Sequence, residues 1–170
     1  MSALAKSEIE RLIKHDPPLI SGCPELAAQL QPNGLDITLR DVFMLENPGQ
    51  IAASNAQRVV SELTPLAWDG LGYLELPPGI YSITYNEIVH LPKDIMALAT
   101  PRSSLLRCGV TIHTAVWDAG YAGRSQSLLV VYHPHGFRVQ QNARVLQLVF
   151  FRLEGQTEGY KGIYQGENIT

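Results

Sequence analysis

Two cysteines in 170 residues, Cys23 and Cys108, are too few for a disulfide framework and show no metal-ligand spacing. With no secretion signal in view, reduced thiols are expected, and Cys108 reads as a small core residue in its apolar stretch. Long apolar runs are also missing. SLLVVY and LQLVFF fall far short of the ~20 residues a membrane helix needs, so no membrane partner is expected. The N-terminal MSALAKSEIERLIK mixes acids and bases into its apolar pattern and reads as an amphipathic helix, not a signal peptide. Nor is there a basic excess: the net charge of −3 argues against a general nucleic-acid binder. These absences together describe a cytoplasmic chain. One further absence is local. From Ala119 through Leu153 there is no Asp or Glu, although Arg124, Arg138, Arg144 and Arg152 all lie inside that stretch.

What is present reads as one domain, 1–170, with a helix over 1–15 and a polar, Gly-rich arm over 154–170. Ser7 is a candidate helix cap, and Asp16-Pro17-Pro18 ends the helix. The segment from Pro24 to Leu30 suggests one more helical turn. After it come LDITL, GYLEL, IYSITY, IMALAT, GVTIHTAV, SLLVVY and RVLQLVFF, short stretches rich in β-formers and punctuated by Pro, Gly, Asn and Asp. That pattern predicts a mainly β sandwich, barrel or jelly roll. Residues 46–62 read as a long surface excursion, and the 154–170 tail as a mobile arm.

Several chemistries are excluded by their missing signatures. There is no H-x-E with P-C-x-x-C, no H-E-x-x-H, no G-x-x-x-x-G-K-[ST] and no G-x-S-x-G. The pair His133 and His135 reads as a solvated turn, and His113 as a core or interface histidine.

Three stretches carry chemistry. PRSSLLR offers two hydroxyls, Ser103 and Ser104, and two guanidinium groups, Arg102 and Arg107, in a turn suited to phosphate oxygens. In VWDAGYAG, Gly120 and Gly123 permit a tight turn that holds Asp118 and exposes the Tyr121 ring; its bland reading is a self-bonded turn. NARVLQLVFF carries Arg144 and Gln147 on a buried-looking strand, where polar groups need partners. Strand parity puts those two on opposite faces unless a bulge intervenes.

Taken in order, PRSSL, D-x-G-Y-x-G and R-x-x-Q-L resemble the dUTPase and dCTP deaminase superfamily, over a span from about Gln31 to the C-terminus. The resemblance implies a distorted β jelly roll of the β-clip type, assembled as a homotrimer with sites shared between subunits. It assigns phosphate contacts to Ser103 or Ser104 and to Gln147, with Lys161 and Gln165 contributing from a closing arm that also carries Tyr164. It assigns Asp118 to the attacking water and Tyr121 to the floor beneath the deoxyribose. Backbone groups at Thr114 and Ala115 would read uracil. Gly34-Leu35-Asp36 fits the first motif of the hydrolases; deaminases more often have Ser where Gly34 stands.

The two activities of the superfamily differ in their acids. Deaminases carry a Glu about ten residues beyond the loop Asp as general acid and base; here Leu128 or a neighbour stands at that place. The Arg that deaminases keep just before the Asp is replaced by Val116-Trp117. The expected reaction is therefore hydrolysis of dUTP to dUMP and pyrophosphate. Mg²⁺ is carried by the triphosphate, Asp36 has an indirect part, and no metal ligand is supplied directly. The alternatives are a dCTP deaminase or bifunctional enzyme using a tail acid (Glu154, Glu158 or Glu167), a nucleotide-binding module without turnover, and a β scaffold for a protein partner. Strands lining an anion site lose binding energy to each nearby acid, which gives the carboxylate gap a physical reading.

Overall fold

The computed structural model describes residues 2–169. Its first part runs through β1 (Ser2–Ala3), α1 (Lys6–Ile13), β2 (Ile20–Ser21), α2 (Leu26–Gln29) and β3 (Leu30–Gln31). The long strand β4 (Gly34–Leu45) leads to β5 (Leu63–Pro65), β6 (Tyr73–Leu76), β7 (Gly79–Tyr85), β8 (Ile88–His90) and β9 (Ile95–Pro101). After the one-turn helix α3 (Ser103–Arg107) come β10 (Val110–His113), β11 (Ala122–Gly123), β12 (Gln126–Val131), β13 (Phe137–Gln140) and β14 (Arg144–Arg152).

The fold is a mainly β, distorted jelly roll. One curled sheet runs β1-β14-β4-β7-β12-β10, with β3 and β5 added beside β4 and β9 beside β14. Two small sheets, β11-β8-β2 and β13-β6, close the body. Beyond its first residues β14 alternates as a half-buried strand should, whereas β4 is buried at every position from Gly34 to Leu39. On β14, Leu146, Leu148 and Phe150 are fully buried, and on β4 so are Leu35 and Leu39. Each such side chain contributes about 1.5–3 kcal/mol through burial.

Two irregularities matter for function. Between Arg144 and Leu146 the register against β4 slips by one residue, a bulge that leaves Val145 and Leu146 both buried. Arg144 and Gln147 are thereby brought to the same side of the strand, the exception that parity allowed. The second irregularity lies on β4 between Leu39 and Asp41, where it pairs with β7.

Some sequence readings need correcting. The helix is shorter than 1–15: Ser2–Ala3 pairs with β14, and the cap position is Ala5, without a side-chain hydrogen bond. Backbone pairing with the sheet edge therefore outweighs helix propensity at the start, and Ser7 lies inside the helix. Cys108 is exposed at the end of α3, because Leu105 is the residue of that turn that faces inward. His113 is exposed at the end of β10, which overturns the core half of its reading and not the interface half. Phe137–Gln140, not recognised as a strand, pairs with β6, where Arg138 stacks 4.0 Å above the Tyr73 ring and ion-pairs with Glu75 at 2.9 Å. Met1 and Thr170, the ends of the expected helix segment and arm, lie outside the described residues. No helix among the described residues is long and apolar enough to cross a membrane.

Candidate active site

The site residues fall into two groups. The first surrounds Asp36 on β4, whose side chain is almost wholly buried. Arg102 Nε approaches its Oδ2 at 3.0 Å and Arg144 Nη1 at 3.5 Å. Arg102 also donates to the Arg144 carbonyl, and Arg144 to the Ala28 carbonyl. Burial pushes the Asp36 carboxyl up, and the two guanidinium groups work against that shift. One buried acid thus fixes two arginines whose side chains are each about a third exposed (31% and 35%). Gln147 pairs in register with Asp36, and its side chain lies against Gly34, where a Cβ would collide with the Leu148 carbonyl. Only glycine lets β4 and β14 approach that closely. Ser103, Ser104 and Arg107 are exposed on α3, which Leu105 anchors.

The second group surrounds Asp118. Trp117 is buried, exchanges both backbone hydrogen bonds with Ala97, and donates its indole N–H to Ser125 Oγ at 2.8 Å. With Trp117 pinned, the exposed Asp118 is held at the wall of a cleft of ≈ 440 Å³, a size that suits a small ligand. Ala115, Tyr121, Tyr160, Tyr164 and Glu167 also line it. Thr114, just before Ala115, is partly buried and follows the last residue of β10.

The 154–169 arm packs against this second group. Tyr160 N–H donates to the Ala119 carbonyl, and Gly166 N–H to the Ala122 carbonyl. The Gln165 side chain accepts from Ala122 N–H and donates to the Gly120 carbonyl. Gly120 has φ +84°, and a Cβ there would come within 2.6 Å of Gly159, so the arm crosses over a glycine by necessity. Tyr121 is consequently buried rather than exposed as its turn suggested: it meets Tyr160 edge-on at 5.6 Å and donates to Glu167 Oε1 at 2.8 Å. Lys161 is exposed and paired with Glu158 at 2.7 Å.

The structure therefore gathers Asp118, Ala115, Tyr121 and Tyr164 in one cleft, and Arg102, Arg144 and Gln147 around Asp36. It does not bring the two sets together: none of Arg102, Ser103, Ser104 or Gln147 lines the cleft. Tyr160, which also lines the cleft, was not singled out from the sequence, and Glu167 was considered there only as a deaminase acid. The tail's tyrosines were visible, but nothing local in a polar tail tells where it docks.

A family described as dCTP deaminase-like matches residues 3–153. The chain belongs to that family. It is 47% identical over 169 residues to a protein of Methanosarcina mazei named probable deoxyuridine 5'-triphosphate nucleotidohydrolase, with 99% of each covered. A protein of Archaeoglobus fulgidus with the same name is 46% identical over 169 residues, again with 99% of each covered. Among solved structures, the 2'-deoxycytidine 5'-triphosphate deaminase of Agrobacterium tumefaciens shares the fold, with a TM-score of 0.65 and 21% identity. That alignment covers 87% of this chain and 47% of the deaminase.

Within this dCTP deaminase-like framework one buried acid stands out that the sequence reading passed over. Glu87, between β7 and β8, accepts hydrogen bonds from Gln29, from Thr38 N–H and from the Thr38 hydroxyl. Gln29 also donates to the Asp36 carbonyl. Burial pushes the Glu87 carboxyl up, against the pull of these donors. Glu87 thus braces the strand that carries Asp36. Its only sequence signal was a lone acid between two strand-like stretches.

Proposed function

We infer that this protein hydrolyses dUTP to dUMP and pyrophosphate. The observation that carries the reading is Asp118, an exposed carboxylate at the wall of a cleft that Tyr121 helps to line. The near full-length identity to proteins named as dUTP nucleotidohydrolases supports it.

In this reading Asp118 orients a water and takes its proton as the oxygen attacks the α-phosphorus in line. The bond from that phosphorus to the bridging oxygen breaks, and pyrophosphate leaves with the electron pair. Tyr121 packs beneath the deoxyribose, and the Thr114–Ala115 backbone reads the uracil edge. Misreading a base there would leave buried groups unpaired, at ~1–3 kcal/mol each. Arg102, Arg144, Ser103 or Ser104, and Gln147 hold the phosphates, with Arg107, Lys161, Tyr164 and Gln165 adding contacts. Among the described residues no group of three His, Cys, Asp or Glu side chains is placed to hold a metal ion, and Asp36 is engaged by two arginines. In this reading Mg²⁺ would enter with the substrate, on the triphosphate, and would neutralise its charge.

The reading includes a homotrimer with shared sites. It is supported by the separation of the two residue sets in one chain: a second copy would bring its Arg102 group to a triphosphate seated beside Asp118. A chain that consumes a deoxynucleoside triphosphate in this way belongs in the cytoplasm, where that substrate is made.

Deamination of dCTP is the rival, and one observation favours keeping it: Glu167 shares the cleft with Asp118. Against it, the Glu167 carboxylate is occupied by the Tyr121 hydroxyl, and β12 carries Leu128 where a deaminase acid is expected. Pyrophosphate release from dUTP with Mg²⁺, lost in Asp118→Asn, tests the hydrolase. Ammonia release from dCTP would overturn its exclusivity.

A further inference from the structure

The Glu167 carboxylate is in an uneconomical place for a residue of a polar tail. It is half-buried against the body, and its contact there is a neutral phenol rather than a cation. Burial pushes the carboxyl up, and the Tyr121 hydrogen bond is what opposes it. Partly burying a carboxylate without a cation costs free energy, and the arm has other attachments nearby. The Glu167 carbonyl accepts from Arg124 N–H at 2.9 Å, and Asn168 exchanges hydrogen bonds with Arg124. The Arg124 guanidinium is in turn held by the Tyr85 and Asn86 carbonyls of the body. The arm would be tied down at this point without the Glu167 side chain. What that side chain adds is a fixed position for one ring.

Besides Glu167, the hydrogen-bonding neighbour at that ring's polar end is Ser125, whose hydroxyl oxygen already accepts from the Trp117 indole. The Tyr121 hydroxyl lies over Gly123, where a Cβ would come within 2.6 Å of it, so the space beneath it is kept open by the absence of a side chain. Tyr160, also from the arm, braces the ring edge-on. Two arm residues thus set the pose of the residue that floors the cleft.

We propose that Glu167 is a positioning residue for sugar selection: by accepting the Tyr121 hydrogen bond it locks the ring against the sugar, so that arm closure sets the preference for deoxyribose over ribose. The inference rests on the reading of Tyr121 as the floor beneath the deoxyribose. A ring free to tilt would make room for a 2′-hydroxyl, and the loss would appear in selectivity before it appeared in chemistry. Glu167 acts through Tyr121 and touches no reacting atom.

The test is steady-state pyrophosphate release from dUTP and from UTP, both with Mg²⁺, by the full chain and four variants. Glu167→Ala should lower the dUTP-to-UTP ratio of kcat/KM about tenfold, the effect of one hydrogen bond to a charged group. Glu167→Gln, whose amide oxygen still accepts, should keep most of the ratio. Tyr121→Phe should reproduce the Glu167→Ala loss, and the double variant should add nothing, since both remove one interaction. An unchanged ratio in Glu167→Ala, alongside normal dUTP turnover by the unaltered chain, overturns this inference alone. So does additivity in the double variant. Failure of the unaltered chain to release pyrophosphate from dUTP overturns the functional reading and the inference with it.

Discussion

The group around Asp36 and the group around Asp118 are built in opposite ways. The first sits on the paired strands β4 and β14 and just after β9, with its acid buried and its arginines held by that acid and by backbone carbonyls. The second sits on a turn and is covered by an arm with no regular strand or helix, attached through hydrogen bonds and two tyrosine rings. Fixed charges pre-aimed at an anion stabilise it without reorganisation. A substrate must also enter, and a cover without a strand or helix, held by hydrogen bonds and ring contacts, is the part suited to open. The division places permanence around Asp36 and movement around Asp118.

The comparison can be broken most sharply at Asp118. Asp118→Asn should reduce pyrophosphate release about 10²–10⁴-fold, the span of a lost general base. Its melting temperature should barely move, since the side chain is exposed. Glu87→Ala should do the reverse. It strands three donors, from Gln29 and Thr38, and should cost about 3 kcal/mol in a denaturant titration. A stable Glu87→Ala protein would contradict the rigid character assigned to the β4 region.

Smaller effects appear in the pH dependence of the arm and of the α1–β14 contact. The folded-state pKa of Glu167 is raised, so the docked arm favours the protonated carboxyl. Docking is therefore tightest below the ordinary carboxylate range and weakens as pH rises through the raised value. Hydrogen-exchange protection of the Gly166 and Arg124 amides, both used in docking, should fall with rising pH while that of the β14 amides stays level. Glu8 has the opposite sign. Arg11 and Arg152 hold its carboxyl down at about 2, so its contribution is present above the ordinary pKa and is lost as pH falls through about 2. Because Glu8 is about a third exposed, screening should leave it below ~1 kcal/mol, read as a small acid-limb shift in Glu8→Gln.

Most of the sheet was legible because strands announce themselves locally: LDITL, IYSITY and RVLQLVFF lie within strands, and SLLVVY does so up to Val131. Asp118 was legible because its neighbours in sequence form a motif. The burial of Tyr121 was not, since the cover comes from residues about forty positions later. Glu87 was hidden for the same reason: its partners Gln29 and Thr38 are distant in sequence. The carboxylate gap after Asp118 needs its own revision. Arg138, Arg144 and Arg152 each pair with an acid from outside the gap: Glu75, Asp36, and Glu8 with Asp94. Arg124 holds backbone carbonyls instead. The gap thus reflects strands whose arginines clamp neighbouring segments, and of the four only Arg144 reaches the buried Asp36.

The central claim is that this scaffold cuts a triphosphate and leaves the base intact. Incubating the pure protein with dUTP or dCTP and Mg²⁺, then assaying pyrophosphate and ammonia, tests it directly. The expected result is pyrophosphate and dUMP from dUTP, with no ammonia from dCTP. Ammonia from dCTP, or intact dUTP at the end of the incubation, would contradict it.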